Sequence, residues 1–473
     1  MNVFIRSMRG EWQLMLLAAF VLSCAVFGGS SKPDNATMLI VRPLAVLYIT
    51  VVLALPRPRY WQGLVWPMAL LGAFGTVIAI QLIPLPPSIW TILPGHARFT
   101  EAALALGMPQ PWRPISVSPD MTFNALLALL IPLAVLVGAA GIEPRQRTRL
   151  IPVLLVAMIA SALLGIAQMA GSASSPLYLY RYTNRDLPVG LFANRNHQAV
   201  FLAMAFPLLR AWTALPSKTF ADPRLRGWLA GACALLILPV ILASGSRSGL
   251  VLALVAVCAT SVIAPWNIGS ILSPVEKTAK HVDGHRAIRR RRLLVAAIIA
   301  IVIIVTASAI FFGRALSITR IGQLDQAEAD LRIRFLPIVW SITRDFLPFG
   351  TGFGTFDPMF RLYEPFWALK PTFFNRAHND FLELLMTGGL PALLVLITLL
   401  GFVMYRMRDV VSAGWRHRST ITTKVGAAIV ILAFAASLTD YPLRTPGMGM
   451  VFALAMVWLA SPIEGKQDRT SLN

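Results

Sequence analysis

The sequence predicts an all-α, polytopic integral membrane protein of about twelve transmembrane helices, with a large external loop between the ninth and the tenth. Three observations predict it. Of 473 residues, 56% are hydrophobic and only 13% charged, too little polar surface to solvate a globule of that size. Apolar runs long enough to cross a hydrocarbon core of about 30 Å recur along the chain. Lys and Arg gather in alternate short loops, as they do in a chain threaded back and forth through a bilayer.

In order, the runs fall near 12–30, 38–56, 64–83, 122–140 and 149–170, then 190–212, 228–243, 248–265 and 293–312, and finally 384–405, 425–439 and 447–462. The first is read as a helix of the bundle rather than a cleaved signal, because the next run follows closely and no secreted domain comes after it. With the N-terminus cytoplasmic, every basic cluster falls on the same side: Arg57 and Arg59; Arg145, Arg147 and Arg149; Lys218, Arg224 and Arg226; HRAIRRRR at 285–292; and the residues from Arg406 to Lys424. Both termini are then cytoplasmic. Topology and attraction to anionic lipid account for most of the formal net charge of +21, so the bilayer is an expected partner and nucleic acid is not. Cys24, Cys233 and Cys258 all lie inside spans and read as small core residues, not as a disulfide framework or a zinc site.

The chain thus divides into residues 1–312, nine helices with short loops; 313–383, the external loop; and 384–473, three helices and a cytoplasmic tail. The outside also receives a Pro-rich loop at 84–120 and a short loop at 178–188. The 313–383 loop carries eight basic and eight acidic residues, a balance that topology rules do not produce. A charge run alone is a solvated face. Here LFANRNH and SGSRSG converge on the same side and bring Arg195 and Arg247 to membrane depth or just above it. An arginine there costs several kcal/mol unless it pairs or faces water, so the two are expected to line a cavity; snorkelling to the headgroups is the competing reading. All twenty-one Asp and Glu fall in loops or at span ends, which argues against an ion-coupled carrier.

An outward-facing cavity of arginines, with no nucleotide supply, suits a substrate that arrives already activated and carried by lipid. A polyprenyl pyrophosphate sugar fits, because its leaving group matches the planar fork of arginine donors, which then stand in for a metal ion. The acceptor hydroxyl wants a base with a pKa near the working pH, and histidine is the natural choice. Of six histidines, His281, His285 and His417 lie in internal loops and His96 sits in the Pro-rich loop without polar company, leaving His197 and His378. His378, in RAHNDFLELL just before the tenth span, is favoured as base, with Asn379 and Asp380 to orient its ring. The alternative is that HND only caps the helix, and both roles can coexist. GTGFGTF at 350–356 lacks the Lys-Ser/Thr ending of a phosphate loop and is read as a structural turn. Phe356, Phe360, Tyr363, Phe366 and Trp367 either stack on sugar rings or rest in the interfacial belt, the belt being preferred. No compact metal-ligand spacing is present in the sequence.

Six motifs follow one another along roughly residues 80–460: QLIPLPPSIWTILPG with WRPISVSP, GLFANRNHQAVFLAMAFPL, SGSRSGL, DLRIRFLP, PFGTGFGTFDPMFRLYEP and AHNDFLELLMTGGLP. In this order they resemble the O-antigen ligase and polymerase family, integral membrane glycosyltransferases that use undecaprenyl-pyrophosphate-linked glycans. The resemblance implies metal-independent, inverting transfer at the periplasmic face of a bacterial inner membrane, with no cofactor. It makes Arg247 of SGSRSG and Arg332 of DLRIRFLP pyrophosphate ligands, with Arg195 beside them, and His378 the catalytic base; Arg334 is left out of the set. The implied partners are an undecaprenyl-pyrophosphate-linked glycan donor and a lipid A core or glycan acceptor. Ligation in lipopolysaccharide assembly is the first reading and polymerisation of lipid-linked exopolysaccharide repeats the second. Protein O-glycosylation comes third, and a glycan or lipid transporter is the reading from a different class. The fold is expected to place a partly helical periplasmic loop over a cavity that opens laterally to lipid.

Overall fold

The computed structural model describes residues 2–32, 35–55, 58–216, 222–264, 333–369 and 374–463. They form α1 (Asn2–Phe27), α2 (Met38–Ala54), α3 (Val65–Ile80), α4 (Pro87–Trp90), α5 (Ala97–Ala105), α6 (Pro119–Ala128), α7 (Leu130–Ala140), α8 (Leu150–Ala170), α9 (Arg195–Ala203), α10 (Ala205–Ala214), α11 (Pro223–Ala243) and α12 (Arg247–Ile263). A helix over residues 333–346 (α13), α14 (Phe356–Tyr363), α15 (Asp380–Ala413), α16 (Ile421–Ser437) and α17 (Pro446–Leu459) follow. No strand occurs among the described residues; Leu85 and Arg113 form one isolated bridge. Five helical stretches, Pro119–Ala140, Pro144–Ala170, Pro223–Ala243, Asp380–Ala413 and Arg418–Ser437, are each long and apolar enough to cross a membrane. Shorter apolar helices, among them Met38–Ala54 and Pro446–Leu459, pack between them. The class is an all-helical membrane protein. The run at 293–312 lies outside the described residues.

Two of the expected spans are not single helices. The run at 122–140 is α6 followed by α7, and that at 190–212 is α9 followed by α10. Proline explains both breaks. Pro132 and Pro207 have no N–H to offer the carbonyls of Ala128 and Ala203 four residues earlier, and each helix ends at the residue whose carbonyl is left over.

At the centre, α16 and α17 lie side by side, with α7 and α1 against α17 and α12 against α16. Their approach is close: a Cβ on Gly426 of α16 would stand 2.3 Å from the Leu459 nitrogen and 2.5 Å from the Ala455 oxygen of α17. Small residues allow this contact, the usual means by which helices associate in lipid. A second, smaller core gathers Phe335, Val339, Ile342 and Phe346 of α13 with Phe356, Met359 and Phe360 of α14. The described residues between α12 and α15 are therefore folded around a hydrophobic core that also takes in Met386 of α15. Phe356 and Phe360, at 0% and 1% exposure, belong to that core and not to a membrane belt or a sugar platform, whereas Phe366 is 90% exposed.

The GTGFGTF turn holds this small core to the bundle by repairing a break in α15. Pro391 cannot donate to the Thr387 carbonyl, and Gly389 leaves the helix altogether (φ 62°, ψ −159°). The freed groups find partners in the turn. Thr351 N donates to Met386 O at 3.0 Å, Gly352 N to Thr387 O at 2.9 Å, and Leu390 N to Pro348 O at 2.9 Å. Gln81 of the loop after α3 joins them: its amide donates to Thr387 O at 2.9 Å and accepts from Phe353 N at 3.1 Å. A Cβ at Gly389 would lie 2.2 Å from Pro348 O, at a positive φ. Gly389→Ala is therefore expected to destabilise the protein by about 1–3 kcal/mol. Thermal unfolding in detergent against Gly401→Ala, a position with nothing within 4 Å, checks this.

Candidate active site

The kink matters because of what the upper segment of α15 carries. Asn379 caps that helix, its side-chain oxygen accepting from Phe381 N at 3.1 Å and Leu382 N at 3.0 Å. Glu383, one turn in, reaches back to accept from Ala377 N at 3.0 Å and from Arg376 Nη1 at 2.9 Å. Between these two restraints stands His378, held at φ 51° in the left-handed region that a residue with a side chain seldom adopts. Such strain persists only where the surroundings over-determine it, and it clusters at functional sites. Capping belongs to Asn379, so His378 is left for another role.

The His378 ring meets a carboxylate that the sequence reading did not single out. Its Nδ1 lies 3.6 Å from Oδ1 of Asp440, in the short connection between α16 and α17. The same oxygen faces Nε2 of His197 at 3.5 Å. Both contacts are long, yet neither nitrogen has a closer hydrogen-bond partner, nor has Nδ1 of His197. Asp440 is otherwise well held: its Oδ2 accepts from Asn196 Nδ2 at 2.7 Å and its Oδ1 from Tyr441 N at 2.9 Å. The Tyr441 ring lies edge-on to both imidazoles, with centroids 4.9 Å from His378 and 5.2 Å from His197. Burial alone works to raise the Asp440 pKa, but the two imidazoles beside it outweigh burial and hold the carboxyl well below its usual range. It is an anion that orients histidines.

A second charged group stands beside the first. Arg444, in the same connection, donates from Nε to Asp380 Oδ1 at 2.9 Å and lies 3.5 Å from Glu383 Oε1 through Nη2. Burial works to lower its pKa, but the two carboxylates outweigh it and raise it, so the guanidinium is a permanent cation. Ser437 adds a hydrogen bond to Asp380 Oδ2 at 3.2 Å. These contacts tie the His378 end of α15 to the junction of α16 and α17.

Arg195 is 9% exposed and opens α9, with Asn194 as the cap of that helix. It precedes Asn196 and His197, the two residues of α9 that meet Asp440. Arg247 is exposed and opens α12, capped by Ser246, whose hydroxyl accepts from Gly249 N at 3.0 Å. Gly249 lets that helix end press on α9, since a Cβ there would come within 2.4 Å of Ala199 Cβ. Two arginine-bearing helix N-termini are thus neighbours on the His197 side of Asp440, a pairing suited to anions. Arg332, His281 and His285 lie outside the described residues, and Arg334 is exposed on α13. His96 is not without polar company: it is 3% exposed, with carbonyls of Pro94 at 3.0 Å and Ile115 at 3.1 Å on its two nitrogens, a structural histidine. Among the described residues no three His, Cys, Asp or Glu side chains converge as metal ligands do.

Asp440, Asn196, Tyr441 and Arg444 were missed. For Asp440, Tyr441 and Arg444 the signal was SLTDYPLRTP, a connection between two apolar runs that contains both an Asp and an Arg; Asn196 stands beside His197 in LFANRNH.

Fold and site together define an all-helical membrane protein with a polar His and Arg centre assembled at one end of its bundle. Residues 232–397 match the family described as O-antigen ligase, so the resemblance carried by the motifs is shown over that stretch. The match includes Arg247, Arg332 and His378, whereas Arg195, His197, Asp440 and Arg444 fall outside it. It points to the glycosyltransferase-like ligases and polymerases of lipid-linked glycans. No curated protein matches the chain.

Proposed function

We propose that the protein moves a glycan from an undecaprenyl-pyrophosphate donor to a hydroxyl of a lipid A core, at the periplasmic face of a bacterial inner membrane. In this reading the chain crosses about twelve times, with both termini in the cytoplasm. The observation that carries it is His378 set against buried Asp440 through Nδ1, which leaves Nε2 for an acceptor hydroxyl. A carboxylate on one imidazole nitrogen selects the tautomer whose other nitrogen takes a proton.

The acceptor O–H gives its proton to His378 Nε2 as the oxygen attacks the anomeric carbon. The new C–O bond forms while the bond to the pyrophosphate oxygen breaks, and a single displacement inverts the configuration. The leaving undecaprenyl pyrophosphate takes the electron pair, and its charge is met by Arg195, Arg247 and Arg332 in place of a metal ion.

The test is transfer in proteoliposomes holding an undecaprenyl-pyrophosphate oligosaccharide and lipid A core, with a chelator present throughout. Core-linked glycan is expected from the parent protein and not from His378→Ala. Arg247→Ala is expected to lower the rate about 10–100-fold, as loss of a hydrogen bond to a charged group does. Extension of the lipid-linked glycan instead of the core would make the protein a polymerase. Donor crossing the bilayer with no new glycosidic bond would overturn the enzyme reading.

A further inference from the structure

One feature at the same end of the bundle is not used by this chemistry. A cavity of about 350 Å³ lies among α2, α3, α6, α7, α15, α16 and α17. None of its lining residues comes from α8 to α12, the helices that carry Arg195, His197 and Arg247. Arg42, Arg376, Asp380 and Arg444 line one end, while Leu136, Leu399 and Met456 lie deeper. Asp380 and Arg444 thus stand between the cavity and the cluster around Asp440, and His378 is two residues before Asp380.

We propose that this cavity receives one acyl chain of the acceptor lipid, with the phosphorylated headgroup at Arg42; the assignment of the chain to the acceptor rests on the transfer proposed above. Shape supports a chain. On α17 the lining runs from Pro446 to Met456, ten residues that rise about 15 Å along a helix. Size supports a single acyl chain. At roughly 30 Å³ per water-sized group, the cavity holds about a dozen carbons, the length of one fatty acyl tail. Charge supports a phosphate at the mouth. Arg376 and Arg444 are paired with Glu383 and Asp380, but Arg42 has no carboxylate among the described residues. Its Nη2 reaches only the Asn124 carbonyl at 3.4 Å, and its buried Nε has no hydrogen-bond partner. A guanidinium in a largely apolar wall is favourable only with an anion or water beside it. The two lipid substrates then approach from opposite faces of the α16–α17 layer, and their heads meet at His378.

Gly449 provides the test. It lines the cavity, and a Cβ added there meets nothing within 4 Å, so the side chain of Gly449→Leu starts in open space and narrows the cavity. Gly72 on α3 also has nothing within 4 Å, is exposed, and does not line the cavity, which makes Gly72→Leu the control. Binding is read first, on His378→Ala protein in nanodiscs, with diazirine-bearing probes: lipid A core labelled in an acyl chain, undecaprenyl-pyrophosphate glycan labelled in its prenyl chain, and labelled phosphatidylethanolamine. The lipid A core label is expected on α17 peptides, about tenfold weaker in Gly449→Leu, weaker in Arg42→Gln and unchanged in Gly72→Leu. In protein with His378 intact, Gly449→Leu is expected to raise the KM for the acceptor about tenfold and leave that for the donor unchanged. Equal labelling by phosphatidylethanolamine would reduce the cavity to a crevice for bulk lipid, and labelling by the prenyl chain would give it to the donor. Either result, or insensitivity to Gly449→Leu, overturns the proposal. Since the binding arm needs no turnover, absence of transfer by the parent protein would count against the enzyme reading alone.

Discussion

Replacing His378 by alanine is expected to lower glycan transfer about 10²–10⁴-fold, the range that a positioned general base contributes, with little change in thermal stability. The ring is 14% exposed and makes no hydrogen bond through Nδ1, so its loss removes chemistry more than packing. Asp440→Asn separates positioning from bulk. An asparagine keeps the shape, and with its oxygen in the place of Oδ2 it still accepts from Asn196, while its amide nitrogen in the place of Oδ1 gives up the Tyr441 N bond and can donate to His378 Nδ1. That selects the tautomer with hydrogen on Nε2, which cannot take the acceptor proton. A fall of about 10²–10³-fold in initial rate, with acceptor KM little changed, is expected for Asp440→Asn. A rate equal to that of the parent would remove Asp440 from the mechanism and weaken the case for His378. The stability effect has a definite pH dependence. The folded pKa of Asp440 lies below its unfolded value of about 3.9, so its ionised form stabilises the fold above that pH, and the contribution disappears as pH falls through the folded value. The difference in unfolding temperature between parent and Asp440→Asn is therefore expected to shrink as the pH is lowered below about 4.

Arg444→Met is expected to destabilise the protein by about 3–5 kcal/mol, the cost of removing one partner from a buried ion pair. Asp380, 9% exposed, would keep only the Ser437 hydroxyl at 3.2 Å, whereas Glu383 would keep Arg376 and Ala377 N. The damage is therefore specific to Asp380, and Arg444→Met combined with Asp380→Asn is expected to recover most of the loss. Thermal unfolding of the two single variants and the double variant, treated as a cycle, measures the coupling. Additive losses would show that the two side chains do not act as a pair. His378 sits two residues before Asp380, so this pair is also what keeps the histidine over Asp440.

Several features were legible from local pattern. Asparagine before an apolar run is a helix cap, and Asn379 caps α15 as HNDFLELL suggests. Glycines without a Lys-Ser/Thr ending are not a phosphate loop, and Gly350, Gly352 and Gly354 all take positive φ in the turn that repairs α15. Other features were not. His96 reads from sequence as lacking polar neighbours because its partners are backbone carbonyls, which every sequence has and no residue type announces. Phe356 and Phe360 read as interfacial because a loop between apolar runs carries no sign of a core of its own. The breaks between α6 and α7 and between α9 and α10 were visible as Pro132 and Pro207, but a hydrophobicity window averages across a proline.

The sequence by itself determined the class of protein and the neighbourhood of the site. Preference for lipid is a sum over the residues of a single segment, and a short motif keeps its residues together whatever the rest of the chain does. Only the tertiary structure decided which groups share a site. Asp440 faces both His197 and His378 because α16 and α17 meet at a short connection against α9 and the start of α15, and Arg444 answers Asp380 for the same reason. Those pairings depend on the packing of helices far apart in the chain, which no local composition or spacing encodes.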